Sequence, residues 1–279
     1  MMTTGKKMEI HFSGTGASEG IPNPYCSCQI CEQARFAGGK EKRTRASVII
    51  DKVLQIDLSP EYAYQLMRDQ FNAREINGLL FTHTHPDHFN IGELYSRMAG
   101  FAHDIHHPLH IYGSDIAISE CAKLLAGYSK DRFRLHSVIP FVTFEFENYC
   151  ITPLLANHAA WEFCYLWFIE KEGKTLFYGH DSGWFPELTW QWLEKKRIDL
   201  AILECTTGYN GDARSDNHMS IETIIAACKR LRASGCLKKE SRISLSHISH
   251  NIKMGHFELT ELMFSYGADV AWDGLTLNI

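Results

Sequence analysis

Residues 81–88 read Phe-Thr-His-Thr-His-Pro-Asp-His and concentrate side chains that commonly bind metals. His83 and His85 are two residues apart, so their side chains point the same way if the backbone is extended. Asp87 and His88 follow a proline, a good place for a helix to begin, and can be directed at the same point. Neutral imidazoles and carboxylates are ligands for divalent transition metals. Four of them within six residues predict a site that can hold two ions.

Chance clustering is the alternative, because the chain contains 15 histidines. A second group of histidines has no carboxylates at metal-binding spacing, and we interpret it as loop surface that helps to rim a substrate pocket. This group consists of His103, His106, His107 and His110. For residues 81–88, which directly follow an apolar strand candidate, metal binding is the better explanation.

Three cysteines occur in the segment 26–31 with the spacing Cys-X-Cys-X-X-Cys, and they are Cys26, Cys28 and Cys31. A loop with this spacing can wrap around a soft tetrahedral ion, and zinc is the usual occupant. Three thiolates leave one ligand missing, and His250 in the sequence His-Ile-Ser-His is the candidate for it. The other six cysteines are isolated, and we interpret them as buried thiols.

Composition limits the class of protein. The chain has 279 residues, 45% hydrophobic and 22% charged, which is typical of globular proteins. The net charge is −5, so no basic excess indicates a nucleic-acid or membrane surface. We expect no secretory signal and no membrane-spanning helix, because the sequence lacks the apolar runs that both require. The odd count of nine cysteines fits free thiols and metal ligands. We therefore expect a cytoplasmic protein.

Strand and helix patterns alternate along most of the chain and must position these side chains. Interleaving of this kind predicts an α/β fold in which helices cover the sheets. No repeat or linker divides the sequence, so we expect a single domain, 1–279. Strands are expected at 8–12, 46–51, 53–57, 76–81, 109–112, 199–203, 242–246 and near 268–277, with extended stretches at 141–156 and 163–179. Helices are expected at 60–71, after Gly113, around 186–196 and at 219–233.

The histidine segment resembles the signature of the metallo-β-lactamase superfamily, hydrolases with an αββα four-layer sandwich and a one- or two-metal centre. The other elements of that pattern can be matched at the ends of later strands, in the family's order. The resemblance implies a metal-dependent hydrolase with seven metal ligands. In this sequence they are His83, His85, Asp87, His88, His158, Asp181 and His247.

The resemblance also implies how these ligands are shared between two ions. One metal would be bound by His83, His85 and His158, and the other by Asp87, His88 and His247. Asp181 would bridge the two ions. Asp57, at the end of an earlier strand, would orient a metal-bound histidine, whereas His180 would point away from the metals.

Additional features narrow the resemblance within that superfamily. An N-terminal Gly-Thr-Gly turn, the cysteine segment and the final His-Ile-Ser-His are similar to those of the phosphoribosyl 1,2-cyclic phosphate phosphodiesterases of bacterial carbon–phosphorus lyase pathways. The resemblance implies that Cys26, Cys28, Cys31 and His250 bind a structural Zn²⁺. It also implies that His218 protonates the leaving alkoxide or stabilises the phosphoryl oxygens. The catalytic candidates are His218 and the metal ligand Asp87. Glu204 is an acidic residue without an assigned role.

The expected function is hydrolysis of a small cyclic phosphate or nucleotide-like diester by a metal-bridging hydroxide. The expected cofactors are two divalent ions, Mn²⁺ or Zn²⁺, and one structural Zn²⁺. A small-molecule substrate is expected, membranes and nucleic acid are not favoured as partners, and a homodimer is left open. The alternatives are a tRNA 3′-processing endonuclease, a thioester or lactam hydrolase, and a non-catalytic accessory protein of cofactor biosynthesis. A complete ligand set argues against the last of these.

Overall fold

The computed structural model describes residues 7–127, 130–209 and 217–279. Within these residues the chain forms two seven-stranded mixed sheets. The first sheet contains β1 (Glu9–Gly14), β2 (Ser47–Ile50), β3 (Leu54–Ile56), β4 (Gly78–Leu80), β5 (Leu109–Gly113), β6 (Phe133–Ser137) and β14 (Thr276–Asn278). The second contains β7 (Phe144–Phe146), β8 (Tyr149–Leu155), β9 (Tyr165–Lys171), β10 (Lys174–Gly179), β11 (Ile198–Glu204), β12 (Leu237–Ser246) and β13 (Asp269–Val270).

The spatial order of the first sheet is β14-β1-β2-β3-β4-β5-β6, with β3 to β6 parallel. The order of the second is β13-β12-β11-β10-β9-β8-β7, with β10 to β13 parallel. Each sheet therefore contains a block of parallel strands whose carboxyl ends lie at one edge, which is where side chains from different strands can meet.

Helices cover the outer faces of both sheets. They are α1 (Gln29–Ala37), α2 (Tyr62–Asp69), α3 (Asp115–Leu124), α4 (Glu187–Leu193), α5 (Ile221–Ala233) and α6 (His256–Phe264). One apolar core, which includes Phe12, Trp167 and Tyr178, lies between the sheets. The other two cores lie under the helices, one on each outer face. This arrangement is the αββα sandwich, so the expected fold class is confirmed.

The expected strands and helices are found, with bounds that differ by a few residues. The extended stretch 163–179 is two strands, β9 and β10, that form a hairpin. Among the α-helices and strands of the described residues, three were not predicted: α1, β6 and α6. No helix in the described ranges is long and apolar enough to cross a membrane.

A buried arginine joins loops from both sheets near the edge where the parallel strands end. Arg43 is 4% exposed, and its Nη1 atom donates hydrogen bonds to Thr15 Oγ1 (2.8 Å) and to the carbonyl of Ala271 (2.7 Å). Its Nη2 atom lies 3.0 Å from His256 Nδ1, at the start of α6. Burial lowers the pKa of Arg43 to about 10, against the raising effect of Asp273, so the side chain is charged at neutral pH.

Arg43→Met should lower the free energy of unfolding by about 3 kcal/mol, because it leaves buried acceptors without their donor. In a domain of this size that corresponds to roughly 6–12 °C in Tm by thermal denaturation. Arg242→Met is the matched control, since Arg242 pairs with Asp269 at the surface and such pairs contribute at most about 1 kcal/mol. Equal losses in the two variants would contradict a linking role for Arg43.

Candidate metal centre

The histidine segment follows β4 and enters the edge between the two sheets. His83 and His88 are buried, Asp87 is almost buried, and His85 is partly exposed. The Nδ1 atom of His85 lies 3.0 Å from Nε2 of His158, which comes from the loop between β8 and β9. The two sheets therefore contribute histidines to one cluster, the one formed by His83, His85 and His158.

Three further site residues follow strands with a left-handed backbone. Asp57 (φ 61°) follows β3, Asp181 (φ 51°) lies two residues beyond β10, and His247 (φ 54°) follows β12. Residues other than glycine seldom adopt this conformation, and where they do the surrounding structure holds them there, often at functional sites. The sharp reversal brings their side chains back towards the sheet edge.

Asp181 lies at the centre of the second cluster, formed by Asp87, His88, Asp181 and His247. Its Oδ2 atom is 2.6 Å from His88 Nε2 and 3.8 Å from His83 Nε2, and its Oδ1 atom is 3.1 Å from His247 Nε2. Asp87 also lies 3.0 Å from His88 Nε2. Asp181 thus contacts histidines of both clusters, which is the position expected of a bridging ligand.

The contacts between Asp181 and the surrounding histidines lack the geometry of hydrogen bonds. Both oxygens of Asp181 and the Nε2 atoms of His83, His88 and His247 are buried without a hydrogen-bond partner. Polar atoms are rarely buried in this way unless they have ligands, and here their lone pairs converge. Imidazole nitrogens and carboxylate oxygens around one point are the donor set of divalent transition metals, so the residues present fit such ions.

The second ring nitrogen of most of these histidines is fixed by a protein group. Thr82 Oγ1 lies 3.0 Å from His83 Nδ1, Asp57 Oδ2 lies 2.8 Å from His88 Nδ1, and Thr206 Oγ1 lies 2.9 Å from His247 Nδ1. His158 Nδ1 lies 3.0 Å from the backbone oxygen of Asn217. Such partners orient metal-binding imidazoles and set their tautomer. Asp57 contacts His88 as expected, but neither threonine was singled out by its sequence.

The electrostatics of the cluster favour ionised carboxylates. Burial raises the pKa of Asp181, but His247 and His88 outweigh it and hold the pKa well below its usual value. Burial also raises the pKa of Asp87, but the charge of His88 outweighs this effect and lowers the pKa below its usual value. Burial alone would lower the pKa of His88, but Asp87 and Asp181 raise it well above its usual value.

Glu204, which had no assigned role, contacts the predicted catalytic histidine. It is fully buried at the end of β11, and its carboxylate lies 3.1 Å from His218 Nδ1. It also accepts hydrogen bonds from the backbone N–H groups of Ser182 (2.7 Å) and Met219 (3.1 Å). Although burial lowers the pKa of His218, the charge of Glu204 raises it to about 9. The His218 ring also packs edge-on against the His158 ring, with their centroids 5.0 Å apart.

The cysteine segment forms a separate cluster. The Sγ atoms of Cys26, Cys28 and Cys31 lie 3.5, 3.3 and 3.5 Å from His250 Nδ1. Burial raises the pKa of the Cys28 thiol, but hydrogen bonds from His250 and Cys31 lower it to about 6. Glu19 lies 3.5 Å from His250 Nε2 and can orient the ring. Three thiols and one imidazole at nearly equal separations fit a tetrahedral zinc site.

The remaining sequence candidates lie outside these clusters. His180 is buried against Tyr178, with ring centroids 4.2 Å apart, and belongs to none of the metal-ligand groups found among the described residues. His110 lies in β5 and its Nδ1 atom is 3.1 Å from His136 Nε2, so it is not loop surface. His103 and His106 are exposed. The six other cysteines are free, and all except Cys150 are buried, so Cys150 departs from the expectation.

Comparison with known proteins identifies the family. The sequence profile of the family described as the beta-lactamase superfamily domain matches residues 52–248. An octanoyltransferase from Porphyromonas gingivalis is 34% identical over 277 residues, which cover 92% of this chain and 49% of that protein. A ribonuclease Z from Picosynechococcus sp. is 32% identical over 165 residues, covering 57% of this chain and 46% of that protein. The chain thus spans about half the length of the curated relatives it matches.

The fold has solved counterparts. The crystal structure of a diphosphatase from the PhnP family superimposes with a TM-score of 0.76 and 20% identity, covering 98% of both chains. At this identity the similarity concerns the fold. The family match, however, includes the histidine segment, His158, Asp181 and His247. On the strength of that match and of the αββα sandwich, this chain belongs to the metallo-β-lactamase superfamily, whose members include metal-dependent hydrolases.

Proposed function

We propose that this protein is a metal-dependent phosphodiesterase that hydrolyses a small cyclic phosphate or a nucleotide-like diester. The observation that carries the proposal is the convergence of unpartnered ligand atoms around Asp181, with the His218–Glu204 pair beside them. The first feature suits binding of two divalent ions. The second suits proton transfer to a poor leaving group.

The proposed ligands of the two ions are those of the two clusters. One ion would be held by His83, His85 and His158, and the other by Asp87, His88 and His247, with Asp181 between them. When bound, such a pair lowers the pKa of water and neutralises the charge of the phosphate. Mn²⁺ and Zn²⁺ are both compatible with this donor set. The cysteine cluster with His250 would hold a structural Zn²⁺.

His218 would act as the general acid. Its Nδ1 atom faces Glu204, so Nε2 is the nitrogen that would give a proton to the departing oxygen. Glu204 fixes the ring and supports the protonated form, which is the form that a general acid requires. An alkoxide leaves poorly without a proton, whereas a thiolate, with a pKa near 8.5, leaves readily. The pair therefore favours a phosphodiester over a thioester.

Two other functions have a specific observation in their favour. The match to ribonuclease Z supports RNA processing, but the net charge of −5 does not indicate a surface that binds many phosphates. The match to a protein named octanoyltransferase supports an acyl thioester as substrate, although this chain corresponds to about half of that protein. Activity measurements on the corresponding substrates distinguish these two alternatives from the proposed function.

A substrate panel tests the proposed reaction. The purified protein, loaded with Mn²⁺ or Zn²⁺, should hydrolyse bis-p-nitrophenyl phosphate, ribose 1,2-cyclic phosphate or a cyclic nucleotide faster than octanoyl-thioester and β-lactam substrates. The measurement is kcat/KM for each compound, with a precursor tRNA as a further substrate. Preferred cleavage of the thioester or of the tRNA would replace the proposal with the corresponding alternative.

Metal content should separate the two sites. Elemental analysis should give close to three ions per chain. Cys28→Ser should remove about one zinc and lower Tm, because a structural ion contributes its binding energy to folding. The matched control is Cys150→Ser, an exposed cysteine outside the cluster, which should change neither.

Asp181→Asn should instead abolish turnover while the zinc of the cysteine cluster remains. Asparagine tolerates the left-handed backbone of this position, so the loss isolates the charge of the carboxylate. If Cys28→Ser left Tm unchanged and removed activity, the two assignments would have to be exchanged.

His218→Ala should lower kcat on a diester with an alkoxide leaving group by about 10²- to 10⁴-fold. It should cost much less with p-nitrophenolate, which departs without a proton. Metal content should be unchanged. Equal losses on both leaving groups, or loss of catalytic metal, would exclude His218 as the acid.

A further inference from the structure

The loop 156–164 between β8 and β9 exposes a large aromatic side chain next to the metal centre. The loop provides His158, and three residues later the Trp161 side chain is 64% exposed. The Trp161 ring lies 5.4 Å from the ring of His85, at an interplanar angle of 51°. An indole ring is a large apolar surface, and leaving it in solvent at the rim of a site forgoes the free energy of its burial.

The residue that follows Trp161 anchors its loop to the histidine segment. Glu162 accepts hydrogen bonds from the backbone N–H (2.9 Å) and the hydroxyl (2.6 Å) of Thr84, in the histidine segment. Its other oxygen accepts one from the hydroxyl of Ser114 (3.2 Å), which caps α3. The loop that carries Trp161 is therefore tied to the histidine segment and to α3, so less conformational entropy of its backbone is lost when a ligand packs on the ring.

Trp161 and His218 contact different histidines of the same cluster. The sequence of contacts runs from Trp161 to His85 (5.4 Å), from His85 to His158 (4.8 Å), and from His158 to His218 (5.0 Å). Because Trp161 packs on His85 and His218 on His158, a diester at the proposed metals could place its leaving group near His218 and its other ester group near Trp161. The two ester groups of the substrate would thus meet different protein surfaces.

We propose that Trp161 is the platform on which a nucleobase of the retained ester group stacks, and that the substrate is therefore a nucleotide-like diester. This inference rests on the proposed phosphodiesterase function and specifies its substrate class. Stacking on an aromatic side chain recognises the flat face that all bases share, so we expect preference for a base without strong preference among bases.

Two substrates with the same leaving group test the proposal. Thymidine 5′-(p-nitrophenyl phosphate) and methyl p-nitrophenyl phosphate both release p-nitrophenolate, but only the first retains a base. Trp161→Ala should raise KM for the thymidine compound roughly tenfold, the fold-change given by about 1.4 kcal/mol of stacking, and leave the methyl compound unchanged. Trp161→Phe should recover most of the loss, since it restores an aromatic face.

Phe163→Ala is the matched control, because Phe163 is 54% exposed on the same loop. It should leave the kinetic constants for both substrates unchanged. Equal effects of Trp161→Ala on the two substrates, or a change in oligomeric state by gel filtration, would overturn the assignment and indicate a structural or interface role for the ring.

A binding measurement separates this inference from the proposed function. Thymidine 5′-monophosphate should bind the metal-loaded protein about tenfold more tightly than ribose 5-phosphate by calorimetry, and Trp161→Ala should remove the difference. If neither diester is hydrolysed by the wild-type protein, the proposed function fails, but this preference would still support stacking on Trp161. Equal affinity of the two monophosphates would exclude the platform even in an active enzyme.

Discussion

The architecture of the site depends on how the negative charge of one buried carboxylate is compensated. Asp181 is 1% exposed and neither of its oxygens has a hydrogen-bond partner, although imidazoles surround it. Burying a charge without a partner is among the most unfavourable changes in a protein interior. Positive charge is therefore required at this point, and divalent ions would supply it. Imidazoles bind metal ions in their unprotonated form, so the affinity of the site for such ions should decrease as the pH falls.

The residues that the structure brings together at the candidate site were easier to select from the sequence than some of the elements around them. Histidine, cysteine and aspartate at strand ends belong to a small set of ligand types, so their order along the chain is informative. The groups that orient them are ordinary polar residues. Thr82, Thr206 and Glu204 acquire their roles only because strands distant in the sequence bring them to the histidines, and single-sequence patterns carry no signal for this.

The missed elements have a comparable explanation. In β6 only Phe133 is buried, so the strand lacks the regular alternation by which a sheet face is recognised. Helix α1 buries Ile30, Cys31 and Ala34, and one of these few core positions is a cysteine that we had counted as a ligand. Helix α6 includes a buried histidine, His256, at its first position. In each case tertiary contacts supply what the local pattern does not show.

The end of β12 connects the two candidate metal sites. His247 points to the cluster around Asp181, and His250, three residues later, points to the cysteines. A displacement of the backbone at one site can therefore move the histidine of the other site, because a single turn joins them. Glu19, whose carboxylate contacts both Ser249 and His250, adds a second connection between this turn and the N-terminal loop.

This sharing of one turn has a consequence for synthesis on the ribosome. The cluster around Asp181 and the cysteine cluster each combine residues from the first third of this chain with a histidine at position 247 or 250, so neither can close until that histidine has been translated. During that interval Cys26, Cys28 and Cys31 are available without their histidine. A nascent chain in this state is the form most open to oxidation or to capture of a competing soft metal, and early zinc supply would protect it.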